Sequence, residues 1–178
     1  GDIFLRNVRG SGVIPQLSLI LGPSAGGAVY SPALTDFVIM TEGQGYMFLT
    51  GPKVVKSVTF EDVSIDDLGG ARTHAEVTGV AHFSAAQDAA AIDTARRILS
   101  YLPDNCRELP PTLDPLDPPD RFVDDIEALV PRDPQVPYDV REVVERVIDQ
   151  GSFLEVHAKY ARNVVVGFAR LGGRAVGV

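Results

Sequence analysis

Apolar positions fall in short blocks along the first hundred or so residues, and the spacing within each block predicts its element. Residues 13–21 form a nearly unbroken apolar run, which predicts a buried strand. Residues 25–34 are mostly small and read as a helix, residues 37–40 and 46–49 as short strands, and residues 52–58 as a helix with Pro52 at its first position, where a missing N–H costs nothing. Residues 64–70 read as one helical turn stopped by Gly69 and Gly70. Residues 87–102 repeat apolar side chains at helical spacing, so Ala91, Ala95, Ile98, Leu99 and Leu102 are expected on one inner face, with Pro103 ending the helix. Strands alternating with helices indicate an α/β layer structure.

Between residues 103 and 137 this pattern dissolves. Most of the 13 prolines fall here among many aspartates, which discourages regular structure and favours an extended connection between two folding units. Beyond it, Asp139 is placed to cap a helix running to residue 149. Residues 163–171, then Gly172-Gly173, then residues 174–178 read as a β-hairpin with a two-residue turn. A second unit begins in this stretch.

Charge and composition narrow the function classes. The 178 residues carry a net charge of −8 with the acidic groups scattered, so no basic stripe competes for nucleic acid or anionic lipid. No apolar run reaches the roughly 18 residues needed to cross a bilayer. With Cys106 as the single cysteine, neither an internal disulfide nor a cysteine zinc site can form, which suits a reducing compartment. The chain opens on Gly1-Asp2-Ile3 and closes on an apolar stretch that reads as a strand cut short. Both ends are therefore expected to be cuts in a longer polypeptide, with any targeting segment out of view.

The chemistry concentrates at Gly22-Pro23-Ser24-Ala25-Gly26-Gly27-Ala28, which follows a strand and opens a helix. A helix start leaves backbone N–H groups unpaired, and glycines let a substrate approach them closely, so such a turn can hold a developing oxyanion. Tight packing of helix on sheet explains the same glycines as well. Gly22, Ser24 and Gly26 also match G-x-S-x-G, the nucleophile elbow of α/β-hydrolases. That rival requires a downstream acid and histidine. Asp36 or Asp62, followed by His74, His82 or His157, meet the order loosely, as any three histidines would.

Longer stretches separate these readings. Gly12-Val13-Ile14-Pro15-Gln16, the turn at residues 22–27, Tyr30-Ser31-Pro32-Ala33-Leu34-Thr35-Asp36-Phe37 and Met47-Phe48-Leu49-Thr50-Gly51-Pro52 resemble the β-subunit (carboxyltransferase) family of propionyl-CoA and acetyl-CoA carboxylases. So do Leu68-Gly69-Gly70-Ala71-Arg72-Thr73-His74, Ser100-Tyr101-Leu102-Pro103, Pro137-Tyr138-Asp139-Val140 and Val166-Gly167-Phe168-Ala169-Arg170. The resemblance runs in order along nearly the whole chain and weakens only in the proline-rich stretch.

What the resemblance implies is specific. The fold is expected to be α/β and crotonase-like (ClpP/crotonase), with residues 1–115 closing an N-terminal carboxyltransferase domain, residues 116–137 a linker, and residues 138–178 opening a similar C-terminal domain. The backbone amides of Gly26 and Gly27 are implied as the catalytic pair that stabilises a thioester enolate, with Ser24, Ala25 and Ala28 binding the acyl-CoA. Thr50, Gly51, Pro52, Gly69 and Gly70 are candidates for a biotin pocket, although a helix start and a helix stop explain their glycine and proline too. A second amide pair, from the C-terminal domain of a neighbouring subunit, is implied to lie beyond Val178, so the 178 residues alone are expected to be inactive.

The implied reaction moves a carboxyl group from carboxybiotin to the α-carbon of propionyl-CoA, acetyl-CoA or a similar short-chain acyl-CoA, with no side-chain base and no metal. Carboxybiotin is carried on a partner, the α subunit with biotin carboxylase and biotin carboxyl carrier functions, and ATP is used only there. The β subunits are expected to form a hexamer-like homo-oligomer, without nucleic acid or membrane partners, in a bacterial cytoplasm or a mitochondrial matrix. Biotin-dependent decarboxylation and transcarboxylation share the motifs, and a serine hydrolase using Ser24 or a scaffolding role are the alternatives from other classes. His74, beside Arg72 in a polar turn, is expected to make a structural hydrogen bond, while His82 and His157 have no motif partner. Arg6, Arg9, Lys53 and Lys56 are read as surface cations, with CoA phosphates as their functional alternative, and Tyr30 is expected to be packed.

Overall fold

The computed structural model describes residues 1–118 and 120–178; Pro119, within the proline-rich connection, lies outside the described residues. Its centre is a parallel three-stranded sheet made by β1 (Leu17–Ile20), β3 (Phe37–Thr41) and β5 (Phe83–Ala85), in the order β1-β3-β5. Leu19 pairs with Ile39, and Ile39 in turn with Phe83. As the middle strand of a parallel sheet, β3 is apolar on both faces, and Val38, Ile39 and Met40 are all buried. Successive side chains of a strand point to opposite faces, so Val38 and Met40 enter one core while Ile39 enters another.

The first core joins Val38 and Met40 to Ile20, Val29, Met47, Ala71, Ala75 and Ala81. It lies under a small second sheet, in which β2 (Pro23–Ala25) runs parallel to β4 (Tyr46–Phe48) with Ser24 opposite Met47. Between β2 and β3 the chain makes a 3-10 turn (Gly26–Val29) and one α-helical turn, α2 (Tyr30–Ala33). After β4 come α3 (Pro52–Thr59), α4 (Ile65–Gly69), the short α5 (Ala71–Thr73) and a π-helical turn (His74–Thr78). Gly51 precedes α3 and Pro52 sits in its first turn, while the Ser64 hydroxyl caps α4 by accepting from the Asp67 amide.

The second core lies between the central sheet and α6 (Asp88–Leu99), whose Ala91, Ala95 and Ile98 are buried. Leu99, expected on the same face, is 47% exposed, because the residue after Ile98 rotates off a stripe already set by positions 91, 95 and 98. The same core receives Leu154 and, partly buried, Phe168 and Ala175 from an antiparallel sheet of β6 (Leu154–Val156), β7 (Val166–Leu171) and β8 (Arg174–Gly177). The Phe168 ring stacks on Tyr101 with centroids 5.6 Å apart and meets Phe37 edge-on at 5.7 Å. The hairpin turn has both glycines in the left-handed region, Gly172 at φ 57 and Gly173 at φ 78, as a two-residue turn matching strand twist requires.

Three expectations need correction. The strand expected over residues 13–21 begins only at Leu17: Gly12, at φ 70, and Pro15 belong to a turn in which Val13 and Ile14 both donate to the Gly10 carbonyl. That turn ends α1 (Asp2–Gly10), a helix the hydrophobic pattern did not single out because it buries no side chain. The helix expected over residues 25–34 is a strand end, a 3-10 turn and one α-helical turn. After Asp139, α8 (Val140–Val147) stops short of residue 149, and Asp149 turns back to accept from the amides of Gly172 and Gly173 at 2.8 and 2.6 Å. The connection over residues 103–137 holds one regular element among its described residues, α7 (Ile126–Leu129). Backbone bonds pin its first part, from Cys106 N–H to Val13 and from Leu113 N–H to Gly173.

Candidate active site

Strand β2 delivers the glycine turn, and β4 sets where it goes. Ala25 is extended at φ −131, and the next residue, Gly26, is left-handed at φ 63. An L side chain at Gly26 would be strained even though only the Leu49 carbonyl lies near its β-carbon position, at 3.8 Å. Gly27 differs: its backbone is ordinary, and a β-carbon there would meet nothing within 4 Å. The turn therefore bends at Gly26 and opens at Gly27, with Ala25 and Ala28 exposed beside it and Ser24 and Gly26 half-buried.

A helical turn starting at Gly26 leaves its first amides without intrahelical acceptors. Their polarity is local rather than that of a long helix, since the 3-10 turn and α2 together span only residues 26–33. The helix macrodipole invoked from sequence is thus small, and the oriented N–H groups carry the electrostatics.

Beside the turn is a mostly apolar cavity of about 470 Å³, walled by Val29, Tyr30, Met47, Phe48, Leu68 and His74, with Thr50 as a polar contributor. Tyr30, expected to be packed, is 51% exposed: it borders this cavity and meets Phe4 of α1 edge-on at 6.0 Å. Of the five candidates for a biotin pocket, Thr50 lines the cavity, and Gly51 and Pro52 follow it as the start of α3. Gly69 and Gly70 are explained by close packing. A β-carbon on Gly69 would collide with the Met47 carbonyl, and one on Gly70 would sit 2.7 Å from the Asp66 carbonyl.

The histidines fall into two unrelated places. His74 lies at the cavity wall, where its Nε2–H donates to the Met47 carbonyl at 2.7 Å and its Nδ1 accepts from the Thr78 hydroxyl at 2.9 Å. His82 and His157 instead lie against each other, tilted by 34°, with ring centroids 4.5 Å apart. The Nδ1 of His82 accepts from the Val38 amide at 3.1 Å. Burial and then the neighbouring His157 push the His82 imidazole down to about 4, against an opposing pull from Asp36, and burial lowers His157 as well. None of the three hydrogen-bonds to Ser24 among the described residues, so the geometry assembles no Ser–His pair there.

Arg6, Arg9, Lys53 and Lys56 are exposed, and Lys56 pairs with Asp62 at 2.7 Å. Among the described residues no three His, Cys, Asp or Glu side chains cluster as metal ligands, and no helix is long and apolar enough to cross a membrane. Two features of the site had little sequence signal. The β2–β4 pairing joins segments too short to show periodicity, and the π-helical turn at His74 has no compositional mark.

A parallel sheet flanked by a β2–β4 pair, with a glycine turn after β2 and an apolar cavity walled by the residues that follow that turn and by β4, is the arrangement of a crotonase-like fold. The whole chain, residues 1–178, matches the carboxyl transferase domain family, to which it belongs. It is 52% identical over 178 residues to a propionyl-CoA carboxylase, carboxyltransferase subunit, of Haloferax mediterranei, covering 100% of this chain and 34% of that protein. It is also 47% identical over 178 residues to a methylmalonyl-CoA decarboxylase subunit alpha of Veillonella parvula, covering 100% of this chain and 35% of the other. A crystal structure of transcarboxylase 12S, described as a hexamer assembly with methylmalonyl-coenzyme A and methylmalonic acid bound, superposes with a TM-score of 0.95 at 48% identity, over 99% of this chain and 34% of that one. The chain spans about a third of the length of the relatives it matches.

Proposed function

We propose that this chain supplies an acyl-CoA oxyanion site of a biotin-dependent carboxyltransferase, which moves a carboxyl group from carboxybiotin to the α-carbon of a short-chain acyl-CoA such as propionyl-CoA or acetyl-CoA. The observation that carries this reading is the Gly26–Gly27 turn, bent by a left-handed glycine and open at the next residue. Thioester α-protons are too weakly acidic at neutral pH unless the enolate oxygen is stabilised, and an oriented amide is typically worth about 3 kcal/mol in that role. In this reading the Gly26 and Gly27 amides receive the oxygen, and the small residues Ser24, Ala25 and Ala28 leave room for the thioester.

Carboxybiotin, when bound, supplies the activated carboxyl group and the ring nitrogen that takes the α-proton, so no side-chain base is required. The cavity fits such a group. Its volume lies within the range of about 300–1,000 Å³ usual for small-molecule sites, its walls are apolar, and Thr50 brings a hydroxyl. Gly69 and Gly70 act in this reading by letting α4 press on β4 and hold Leu68 in the wall. Residues 1–115 are the closing part of one crotonase-like domain, residues 116–137 a linker, and residues 138–178 the opening of a second that packs on the first through Phe168. Full function then needs other copies of the subunit and an α partner that carries biotin and uses ATP.

Decarboxylation or transcarboxylation is a second reading, favoured by the similar degree of likeness to the decarboxylase subunit and to transcarboxylase 12S. All three reactions pass through the same enolate, so the turn serves each. The test is Gly27→Val in the full-length subunit assembled with its partner. Transfer to acyl-CoA is expected to fall at least about a hundredfold, the scale of losing one oxyanion donor, while ATP-dependent carboxylation of biotin on the partner stays unchanged. A correctly assembled Gly27→Val enzyme with normal transfer would show that the turn is a packing device.

A further inference from the structure

The π-helical turn at residues 74–78 places a histidine against the strand that aims the glycine turn. The imidazole of His74 makes two hydrogen bonds that define one tautomer: Nε2–H donates to the Met47 carbonyl at 2.7 Å, and Nδ1 accepts from the Thr78 hydroxyl at 2.9 Å. A π-helical turn is a rare conformation that is frequent at functional sites. Here it starts at His74 and ends at Gly79, left-handed at φ 69, with the His74 carbonyl taken by the Ala81 amide.

The Met47 carbonyl is reachable because Gly69 backs onto it without a side chain. Met47 is buried in β4 directly opposite Ser24 of β2, and β4 runs on to Leu49, whose carbonyl faces Gly26 at 3.8 Å from the β-carbon position. A continuous path therefore runs from the imidazole through one carbonyl and one pair of parallel strands to the two oxyanion amides. His74 also borders the cavity beside them.

We propose, resting on the oxyanion reading above, that His74 is a positioning residue: its Nε2–H holds β4, and through it β2, so that the Gly26 and Gly27 amides point at the enolate oxygen. The imidazole takes no proton in the reaction. The Met47 carbonyl, which can only accept, keeps the proton on Nε2, and the Thr78 hydroxyl holds the ring in place by donating to Nδ1. A displacement of about 1 Å in a catalytic constellation is enough to lower turnover by about a hundredfold, so loss of this strut acts on kcat more than on substrate affinity.

The experiment measures kcat, KM for acyl-CoA and the pH profile in the assembled full-length enzyme for His74→Ala, His74→Gln, Thr78→Val and, in parallel, Gly27→Val. His74→Ala is expected to lower kcat ten- to a hundredfold with KM changed less than about threefold. His74→Gln keeps an N–H near the Nε2 position and is expected to recover most of the activity with the wild-type pH profile. Thr78→Val, which keeps the imidazole but not its Nδ1 donor, is expected to fall between them. If His74→Gln is as poor as His74→Ala, or if it removes a limb of the pH profile, the imidazole acts chemically and the positioning role is wrong. Should His74→Ala fail to assemble, a wild-type kcat for Thr78→Val overturns the proposal by itself. Normal transfer by Gly27→Val would instead sink the oxyanion reading, whereas an impaired Gly27→Val beside a normal His74→Ala would sink only the role of His74.

Discussion

The guanidinium of Arg170 lies over the ring of Tyr101, 4.8 Å from its centroid, and both side chains are buried. Arg170 sits in β7, and its guanidinium donates to the carbonyls of Pro111 at 2.8 Å, Gly173 at 2.9 Å and Ser100. One side chain thereby joins the end of α6, the proline-rich connection and the hairpin turn. Tyr101 completes the joint by donating to the Ser152 carbonyl, while the Ser152 hydroxyl accepts from the Arg170 amide.

Replacing Arg170 by Met keeps the bulk and removes the donors. The Pro111 and Ser100 carbonyls then lose the guanidinium donor and the Gly173 carbonyl keeps only the Leu113 amide, at a cost of about 3 kcal/mol. Hydrogen exchange of the Gly172 and Gly173 amides, which Asp149 and the turn protect, is expected to speed up about a hundredfold. Unchanged exchange would mean that the hairpin is held by Phe168 packing alone.

Acid stability is expected to trace to the adjoining pair His82 and His157. The His82 imidazole is pushed down to about 4 from an ordinary 6.5, chiefly by burial. The folded state therefore binds its proton more weakly than the unfolded state does, and His157 is shifted in the same direction. The stabilisation is complete above pH 6.5 and is lost as pH falls through that value toward 4. Protonating both imidazoles would also set two like charges side by side, with ring centroids 4.5 Å apart. Thermal unfolding of the full-length subunit between pH 7.5 and 4 should show the decline, and His82→Asn, which keeps an acceptor for the Val38 amide, should flatten it. An equal slope in the variant would assign the acid sensitivity to other groups.

The sequence was most readable where one periodicity ran long enough to be unambiguous. The α6 face at Ala91, Ala95 and Ile98 and the Gly172–Gly173 hairpin follow from spacing and turn chemistry alone. Where the pattern is short or purely apolar it misleads. The run at residues 13–21 mixes a turn with a strand, since a hydrophobic residue beside Gly12 and Pro15 is no more extended than the backbone there permits. Helix α1 was missed because its apolar side chains Ile3, Leu5 and Val8 are exposed rather than core-forming. The glycine turn was legible as a motif, but its direction was not. That depends on β2 pairing with β4 across more than 20 residues and on a carbonyl bond from His74, and neither leaves a local trace.

Ser24 is expected to be dispensable as a nucleophile. No histidine reaches it among the described residues, and it lies within a paired strand rather than on an exposed elbow. Ser24→Ala should keep transfer activity within about threefold, since truncation of a half-buried hydroxyl that carries no chemistry costs little. Covalent labelling of Ser24 by a fluorophosphonate, lost in Ser24→Ala, would support the hydrolase alternative instead.

The two glycines of the turn should respond differently to the same methyl group, because one is constrained by backbone and the other only by what must approach it. At Gly26 the angle φ 63 places any L residue in the left-handed region, so Gly26→Ala is expected to destabilise the turn by about 1 kcal/mol even though the space is open. At Gly27 the backbone is unstrained and the added carbon meets nothing within 4 Å, so Gly27→Ala should leave thermal stability unchanged. In the proposed oxyanion reading its methyl nevertheless occupies the opening through which the enolate oxygen would reach the amide. Gly27→Ala is therefore predicted to lower kcat for carboxyl transfer about tenfold or more, with wild-type Tm and wild-type oligomeric state. A variant that loses stability and activity in parallel would fit packing, while loss of activity alone places the reacting oxygen at Gly27.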